Sequence, residues 1–200
     1  MRRKMGVMNL APTVMLLLLL TACIGCDGDG PLKPGEFEDP AFAKCVKDKI
    51  DYEANLGLLD KNDPDLYNKI ESLACAGFGV KSIKGIENLP NIDWFGAEDN
   101  EIESLEPLRT LTKLEFLKLS NNKIKELEPL SGLNVLGALH VDRNYIEDIS
   151  SLYGNTSLTM LSIWGNCISN LFQFDELKKN NSNLVITGTT ADDQDPTKCQ

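Results

Sequence analysis

Apolar and polar residues recur with a period of 22 along most of the chain. The segments 89–110, 111–132, 133–154 and 155–176 carry an asparagine at one shared position, namely Asn100, Asn122, Asn144 and Asn166. Apolar residues fill the fourth, seventh and ninth positions of each segment, and an isoleucine follows each asparagine by two residues. A period of this length predicts stacked repeats that bury one continuous core.

Each repeat predicts one short strand and one return segment. The seventh and ninth positions point into the core of a parallel sheet, so positions six, eight and ten point away from it. Pro107 and Pro129 fall on the returns, where proline cannot interrupt a strand ladder. The recurring asparagines are predicted to be structural, because their side chains can satisfy backbone groups where the chain leaves the strand.

The sequence LTKLEFLKLSNNKIKELEPLSG (111–132) resembles the 22-residue leucine-rich repeat of internalin-like bacterial surface proteins. The resemblance implies an α/β repeat fold: a leucine-rich-repeat solenoid with a curved parallel sheet and an irregular or 3₁₀ convex side. A degenerate unit at 67–88 has Phe78 in place of the asparagine, which gives five repeats over 67–176. Residues 177–200 contain an apolar segment at 184–186, lose the period and are predicted to be a C-terminal cap.

The N-terminal cap, residues 40–66, is predicted to contain two short helices. Asp39-Pro40 and Asp63-Pro64 each look like an N-cap residue followed by proline at the first helical position. The helices are expected to cover the open end of the solenoid with two apolar stripes, and internalin-like proteins also carry a helical cap. The stripes consist of Phe42, Cys45, Val46 and Ile50 in the first helix, and of Leu66, Ile70 and Leu73 in the second.

The first 22 residues are predicted to be an export signal. A basic start, Arg2 to Lys4, precedes an apolar run from Val14 to Leu20 that is too short to span a bilayer. Leu20-Thr21-Ala22-Cys23 resembles the lipobox of bacterial lipoproteins, in which cleavage precedes a cysteine that becomes lipidated. Cys26 also follows a small residue and remains the alternative site.

Residues 23–39 are rich in glycine and proline and are predicted to be a flexible tether. The Asp27-Gly28-Asp29-Gly30 stretch is not expected to bind calcium, because Pro31 has no side-chain oxygen to act as a ligand. The lipobox implies an exported protein that is anchored by lipid to a bacterial membrane. By family analogy, Ile24 after Cys23 favours the outer membrane or the cell surface.

The remaining cysteines are predicted to form two disulfide bonds. Cys45 on the cap helix can meet Cys75 on the first strand, because the cap must lie on the first repeat. Cys167 of the last full repeat can hold the C-terminus through Cys199. Buried free thiols remain the alternative, and a zinc site is disfavoured because no CxxC pair is present.

Charge and histidine content exclude several functions. The chain carries 30 acidic and 20 basic residues, a formal charge of −10, which disfavours nucleic acid as a partner. No metal and no cofactor is expected, because His140 is the single histidine and Gly77-Phe78-Gly79 lacks the third glycine of a phosphate loop. His140, Asp142 and Ser162 share one face, but a flat sheet has no oxyanion hole, so no catalytic residues and no enzyme activity are predicted.

The outward positions of the predicted sheet carry the candidate binding residues. Aromatic residues, methionine and arginine on an exposed face are typical of protein interfaces, so this face is predicted to bind a protein or peptide. Two alternatives stay open: the face could pack within the molecule, or the chain could be a structural envelope lipoprotein without an external ligand. The candidate residues are Trp94, Phe116, Lys118, His140, Asp142, Arg143, Tyr145, Met160 and Trp164.

Overall fold

The 22-residue period determines the order of elements in the computed structural model, which describes residues 36–199. Helix α1 spans Pro40–Asn55 and helix α2 spans Phe172–Asn180. The strands in this part of the chain are β1 (Ser72–Ala74), β2 (Trp94–Gly96), β3 (Phe116–Lys118), β4 (Ala138–His140), β5 (Met160–Ser162) and β6 (Val185–Thr187).

The strands form one parallel sheet in the order of the chain, so each repeat adds one strand. The fourth, seventh and ninth positions of the repeats are buried between the sheet and the returns. The predicted α/β leucine-rich-repeat solenoid is therefore confirmed. Short 3₁₀ helices lie on the returns at Ile86–Asn88, Glu106–Leu108, Glu128–Leu130 and Ser150–Leu152.

The recurring asparagines form a buried ladder that joins successive repeats. Asn144 is fully buried, and its Oδ1 accepts a hydrogen bond from the Ile124 amide at 3.0 Å. Its Nδ2 donates to the carbonyl oxygens of Leu119 at 2.9 Å and Val141 at 3.0 Å. These are the backbone contacts expected of a structural asparagine. The same pattern recurs at Asn100, Asn122 and Asn166.

Asp39 both begins α1 and fixes the helix to the first repeat. Its Oδ1 accepts hydrogen bonds from the amides of Ala41 at 2.7 Å and Phe42 at 3.3 Å. Its Oδ2 accepts from the amides of Lys81 at 2.7 Å and Ser82 at 3.0 Å. Burial alone would raise the pKa of Asp39, but these backbone hydrogen bonds outweigh it and hold the pKa below its ordinary value.

Asp39→Asn is expected to lower the free energy of unfolding by about 1–2 kcal/mol, because an amide oxygen replaces only one of the two carboxylate oxygens. The folded-state pKa lies below the unfolded value of about 3.9. The wild type should therefore keep the carboxylate's contribution above that pH and lose it as the pH falls through the folded-state pKa. Urea unfolding of both proteins at neutral and acid pH measures this difference.

Asp63→Asn is the matched control, because Asp63 begins the second Asp-Pro pair. Its carboxylate accepts a backbone hydrogen bond from Asp65 at 2.8 Å and pairs with Lys69 on the surface. We expect a smaller loss than at Asp39. Equal losses in the two variants, or a loss at Asp39 that does not shrink at acid pH, would contradict the role assigned to the Asp39 carboxylate.

The second predicted cap helix is wrong. Only a 3₁₀ helix at Leu66–Lys69 follows Asp63-Pro64, and β1 begins two residues after Ile70. Ile70 and Leu73 are buried at the fourth and seventh positions of the degenerate repeat. Their helical spacing coincides with the repeat register, and pairing of β1 with β2 selects the strand over the helix.

The predicted tether, residues 23–39, extends too far, because residues 36–39 already pack on the folded domain. Phe37 is buried and packs edge-on against Phe42 at 5.6 Å and Tyr67 at 6.0 Å between ring centroids. Phe37 and the backbone hydrogen bonds of Glu36 and Glu38 with Asn88 and Lys84 hold residues 36–39 on the domain. The predicted export signal, Cys23, Cys26 and the rest of the tether lie outside the described residues.

The C-terminal end departs from the 22-residue period. Met160 pairs with Val185, 25 residues further along the chain, whereas Ala138 pairs with Met160 after 22. The longer return contains α2, which the sequence pattern did not predict because the other returns are irregular or 3₁₀. Residues 36–199 include no helix that is both long enough and apolar enough to cross a membrane.

Both predicted disulfide bonds are present. Cys45 of α1 is joined to Cys75 just after β1, and Cys167 of the last repeat is joined to Cys199. The first bond holds the cap on the sheet, and the second holds the C-terminal segment against the last full repeat. The alternatives of free thiols and zinc ligation do not apply to these four residues.

Candidate partner-binding surface

The concave face is the side of the sheet that points away from the core. In-register pairing places Trp94, Phe116, Ala138 and Met160 side by side across β2 to β5. Phe116 is 47% exposed and Met160 is 44% exposed, whereas Ala138 is buried. Large apolar side chains that stay exposed on one face of a sheet form a candidate contact surface.

Trp94 lies across a glycine at the N-terminal end of the concave face. A Cβ at Gly96 would come within 2.6 Å of the Trp94 ring, so the ring occupies the space that any other residue would need. The Lys118 Nζ lies 5.8 Å from the centroid of the same ring, within the range of a cation–π interaction. The indole is therefore held in one orientation by Gly96 below it and Lys118 beside it.

Trp164 has a similar arrangement at the other end of the face. The Arg143 guanidinium lies 4.2 Å from the centroid of the Trp164 ring, which is 39% exposed. Gly188, at φ +88°, packs against the Trp164 backbone, where a Cβ would come within 2.4 Å of the amide nitrogen. The segment after β6 thus supports Trp164 from behind. Gly96 and Gly188 are site residues that sequence reasoning missed.

Arg143 adopts a left-handed backbone conformation, with φ +54°. The turn that follows each strand requires this conformation at the position directly before the asparagine. Glycine, asparagine and aspartate adopt it readily, and arginine does so at a higher energetic cost. The equivalent positions in the other repeats hold Gly77, Asp99, Asn121 and Gly165, all with positive φ.

Asp142 is not part of the exposed surface, and the prediction that it contacts a partner is wrong. It is only 7% exposed, and its carboxylate accepts hydrogen bonds from the Ser120 hydroxyl at 3.0 Å and the Ser162 hydroxyl at 2.6 Å. The Trp164 amide donates a third hydrogen bond at 3.2 Å. Neighbouring donors therefore engage both carboxylate oxygens, and Asp142 joins three repeats.

The same contacts argue against a nucleophilic triad. The Ser162 hydroxyl donates its proton to the Asp142 carboxylate, whereas a triad serine donates to an imidazole. The Thr187 hydroxyl donates to the Ser162 oxygen at 2.9 Å, so that oxygen is also engaged. His140 pairs with Ser162 across the sheet only through strand register. In residues 36–199, no three His, Cys, Asp or Glu side chains are grouped as metal ligands.

Tyr145 lies apart from the other candidate residues. It follows the turn after β4 and lines a recess with Lys123, Lys125 and the Cys167–Cys199 disulfide on the flank of the solenoid. The prediction grouped it with Arg143 because the two are near in sequence. The left-handed turn at Arg143 lies between the two concave-face strand positions and Tyr145, which lines the flank instead.

A family model described as "Leucine Rich repeats (2 copies)" matches residues 95–132, and no curated protein matches the sequence. Among solved structures, an internalin (InlF) of Listeria monocytogenes is 24% identical, with 75% of this chain and 49% of that chain covered and a TM-score of 0.56. An internalin C2 (InlC2) of Listeria monocytogenes is 28% identical, with 76% and 84% covered and a TM-score of 0.52.

The described residues form a leucine-rich-repeat solenoid, and the chain is similar to internalins. It spans about half the length of InlF and most of the length of InlC2. The leucine-rich-repeat fold supports a protein-interaction scaffold. Fold alone does not identify a partner, so any contact with a partner depends on the side chains of this particular chain.

Proposed function

We propose that the internalin-like protein is a non-catalytic cell-envelope lipoprotein whose concave face binds a protein or peptide partner. The observation that supports this most directly is the exposure of Phe116 on β3, Met160 on β5 and Trp164 after β5, at 47%, 44% and 39%. Removing such side chains from water on binding contributes about 25 cal/mol per Å² of apolar area. Aromatic residues and methionine are enriched at protein interfaces.

The contacts around the two tryptophans also favour binding. Trp94 is held by Gly96 and Lys118, and Trp164 is held by Arg143 and the segment after β6. Side chains that are already ordered lose less conformational entropy when a partner covers them. A surface built in this way is suited to recognition, because its anchors are in place before the partner arrives.

The proposal includes lipid attachment at Cys23, with Cys26 as the alternative site. The acyl chains would anchor the domain to a bacterial membrane, at the outer membrane or the cell surface. The support is the lipobox-like sequence that ends at Cys23. Metabolic labelling with a fatty-acid probe, retained in Cys26→Ala and abolished in Cys23→Ala, tests this assignment.

Phe116→Ala and Trp164→Ala are each expected to weaken partner binding at least tenfold, because truncation of an aromatic anchor in an interface commonly removes about 2 kcal/mol or more. Binders are first selected with the full chain from a displayed random-peptide library. Their affinities for the wild type and the variants are then measured by surface plasmon resonance.

Phe172→Ala is the matched control. Phe172 is 78% exposed on α2, away from the concave face, so the same truncation there should leave binding unchanged. Urea midpoints of all three variants show whether the fold is retained. The proposal fails if the library yields no binder, or if the selected binders are insensitive to both concave-face variants.

A further inference from the structure

We propose that the concave face selects an acidic segment of the partner, and that Arg143 binds its carboxylates. This inference rests on the proposed function and names the chemistry of the ligand. It starts from an unusual distribution of charge. The chain is acidic overall, with a formal charge of −10, yet the side chains that flank the exposed apolar row include Lys118, His140 and Arg143.

Most basic side chains elsewhere in the described residues are already neutralised by carboxylates. Lys118 and Arg143 form no ion pair within residues 36–199, and each lies over a tryptophan ring instead. The ring contact distinguishes them from the other basic residues without an ion pair, namely Lys81, Lys113, Lys125 and Lys178. An aromatic ring orients a cation without neutralising its charge. The paired basic residues are Lys44, Lys47, Lys49, Lys61, Lys69, Lys84, Arg109, Lys123 and Lys179.

The conformation of Arg143 is the second observation. Its turn position favours glycine, asparagine or aspartate, and the residue is exposed, so the arginine side chain is not needed to build the turn. Stacking on Trp164 holds the planar guanidinium while leaving its N–H edge available. That edge matches the two oxygens of a carboxylate. A backbone conformation unfavourable to the residue that adopts it is typical of functional sites.

The position of the cations along the strands is the third observation. Asp93 and Glu115 are exposed directly before β2 and β3, whereas Lys118 ends β3 and Arg143 follows β4. Glu98 and Asp99 make the end of β2 acidic, so the basic side chains are confined to the ends of β3 and β4. An acidic segment would therefore be repelled at the strand starts and attracted at the ends of β3 and β4, next to Trp164.

Three sets of synthetic peptides test the inference with the full chain. The sets share length and apolar residues, and the remaining positions are all glutamate, all glutamine or all lysine. Both tryptophans of the chain lie on the concave face, so their fluorescence reports binding there directly. We expect the glutamate set to bind at least tenfold more tightly than the glutamine set, and the lysine set to bind most weakly.

Arg143→Asn is the decisive variant, because asparagine suits the left-handed turn and the urea midpoint should be unchanged or higher. We expect it to weaken binding of the glutamate set about tenfold and to leave the glutamine set within about twofold. Lys125→Asn removes the same charge from an exposed residue on the flank and should leave both sets unchanged. Arg143→Lys should restore only part of the affinity, since lysine keeps the charge and loses the planar edge.

The outcomes separate the two proposals. Equal binding of the glutamate and glutamine sets, or tighter binding of the lysine set, overturns the charge inference; the proposed function still stands if Phe116→Ala abolishes that binding. An equal loss in Lys125→Asn and Arg143→Asn also overturns it, because overall charge would then explain the effect. Binding that is insensitive to both Phe116→Ala and Trp164→Ala, or no binding by any set, overturns both.

Discussion

Replacing Asn144 by alanine is expected to lower the free energy of unfolding by about 3–5 kcal/mol. The variant leaves the Ile124 amide and the Leu119 carbonyl without the side-chain partners that they have at 3.0 and 2.9 Å. Both groups stay inside the solenoid, and an unsatisfied buried polar group costs about 1–3 kcal/mol. The loss is a large share of the total for a domain whose stability is typically about 5–15 kcal/mol.

Urea unfolding followed by circular dichroism measures the effect, and Asn134→Ala is the matched control. Asn134 is exposed on the return of its repeat, outside the asparagine ladder, so the same truncation there should leave the midpoint nearly unchanged. Asn100→Ala should fall between the two, because Asn100 is slightly exposed near the cap. A midpoint for Asn144→Ala equal to that of Asn134→Ala would show that the ladder does not stabilise the fold.

Removing the Cys45–Cys75 disulfide is expected to have the second-largest effect, a loss of about 3–4 kcal/mol in the chain-entropy model. Both sulfurs lie in the core, and the bond joins α1 to the end of β1. The double variant Cys45→Ala/Cys75→Ala removes a covalent constraint from the unfolded chain, which raises the entropy of that state. In the folded protein it also weakens the packing of α1 on the sheet. Urea unfolding of the oxidised wild type and the double variant gives the difference.

Cys167→Ala/Cys199→Ala is the matched control for loop length, because the two bonds span 32 and 30 residues. The second bond holds only the segment after β6, which can detach while the repeats stay folded. We expect a smaller global loss, with increased hydrogen exchange confined to residues near Trp164 and after β6. A loss as large as that of the first pair would show that the C-terminal segment unfolds together with the repeats.

The repeat register predicted the order of the residues on the candidate surface but not their contacts. The register predicted that Trp94, Phe116, Ala138 and Met160 lie side by side in that order, and they do so. It did not predict that the Asp142 carboxylate accepts hydrogen bonds from Ser120 and Ser162, because the repeat register does not show which donors surround a residue. Sequence position also misled at Tyr145, which lies beyond the turn at Arg143 and lines the flank instead.

One missed feature left a signal in the sequence. The position before each ladder asparagine holds Gly77, Asp99, Asn121 and Gly165, residues that tolerate a positive φ. Arg143 is the exception at this position of the repeat, and a comparison of the repeats could have identified it from the sequence. Gly96 and Gly188 gave no comparable signal, because each is required by a close approach of Trp94 or of the Trp164 backbone, and such approaches depend on packing.

The repeat pattern alone predicts the solenoid, the strand register and the asparagine ladder. These features follow from a repeated local pattern, since every repeat that buries the same positions must stack on its neighbour in the same way. Packing in three dimensions sets where the cap begins, makes the second predicted cap helix a 3₁₀ turn, and selects which concave-face residues remain exposed. Those outcomes depend on contacts between segments far apart in the chain, such as Phe37 with Tyr67, for which a periodic pattern carries no information.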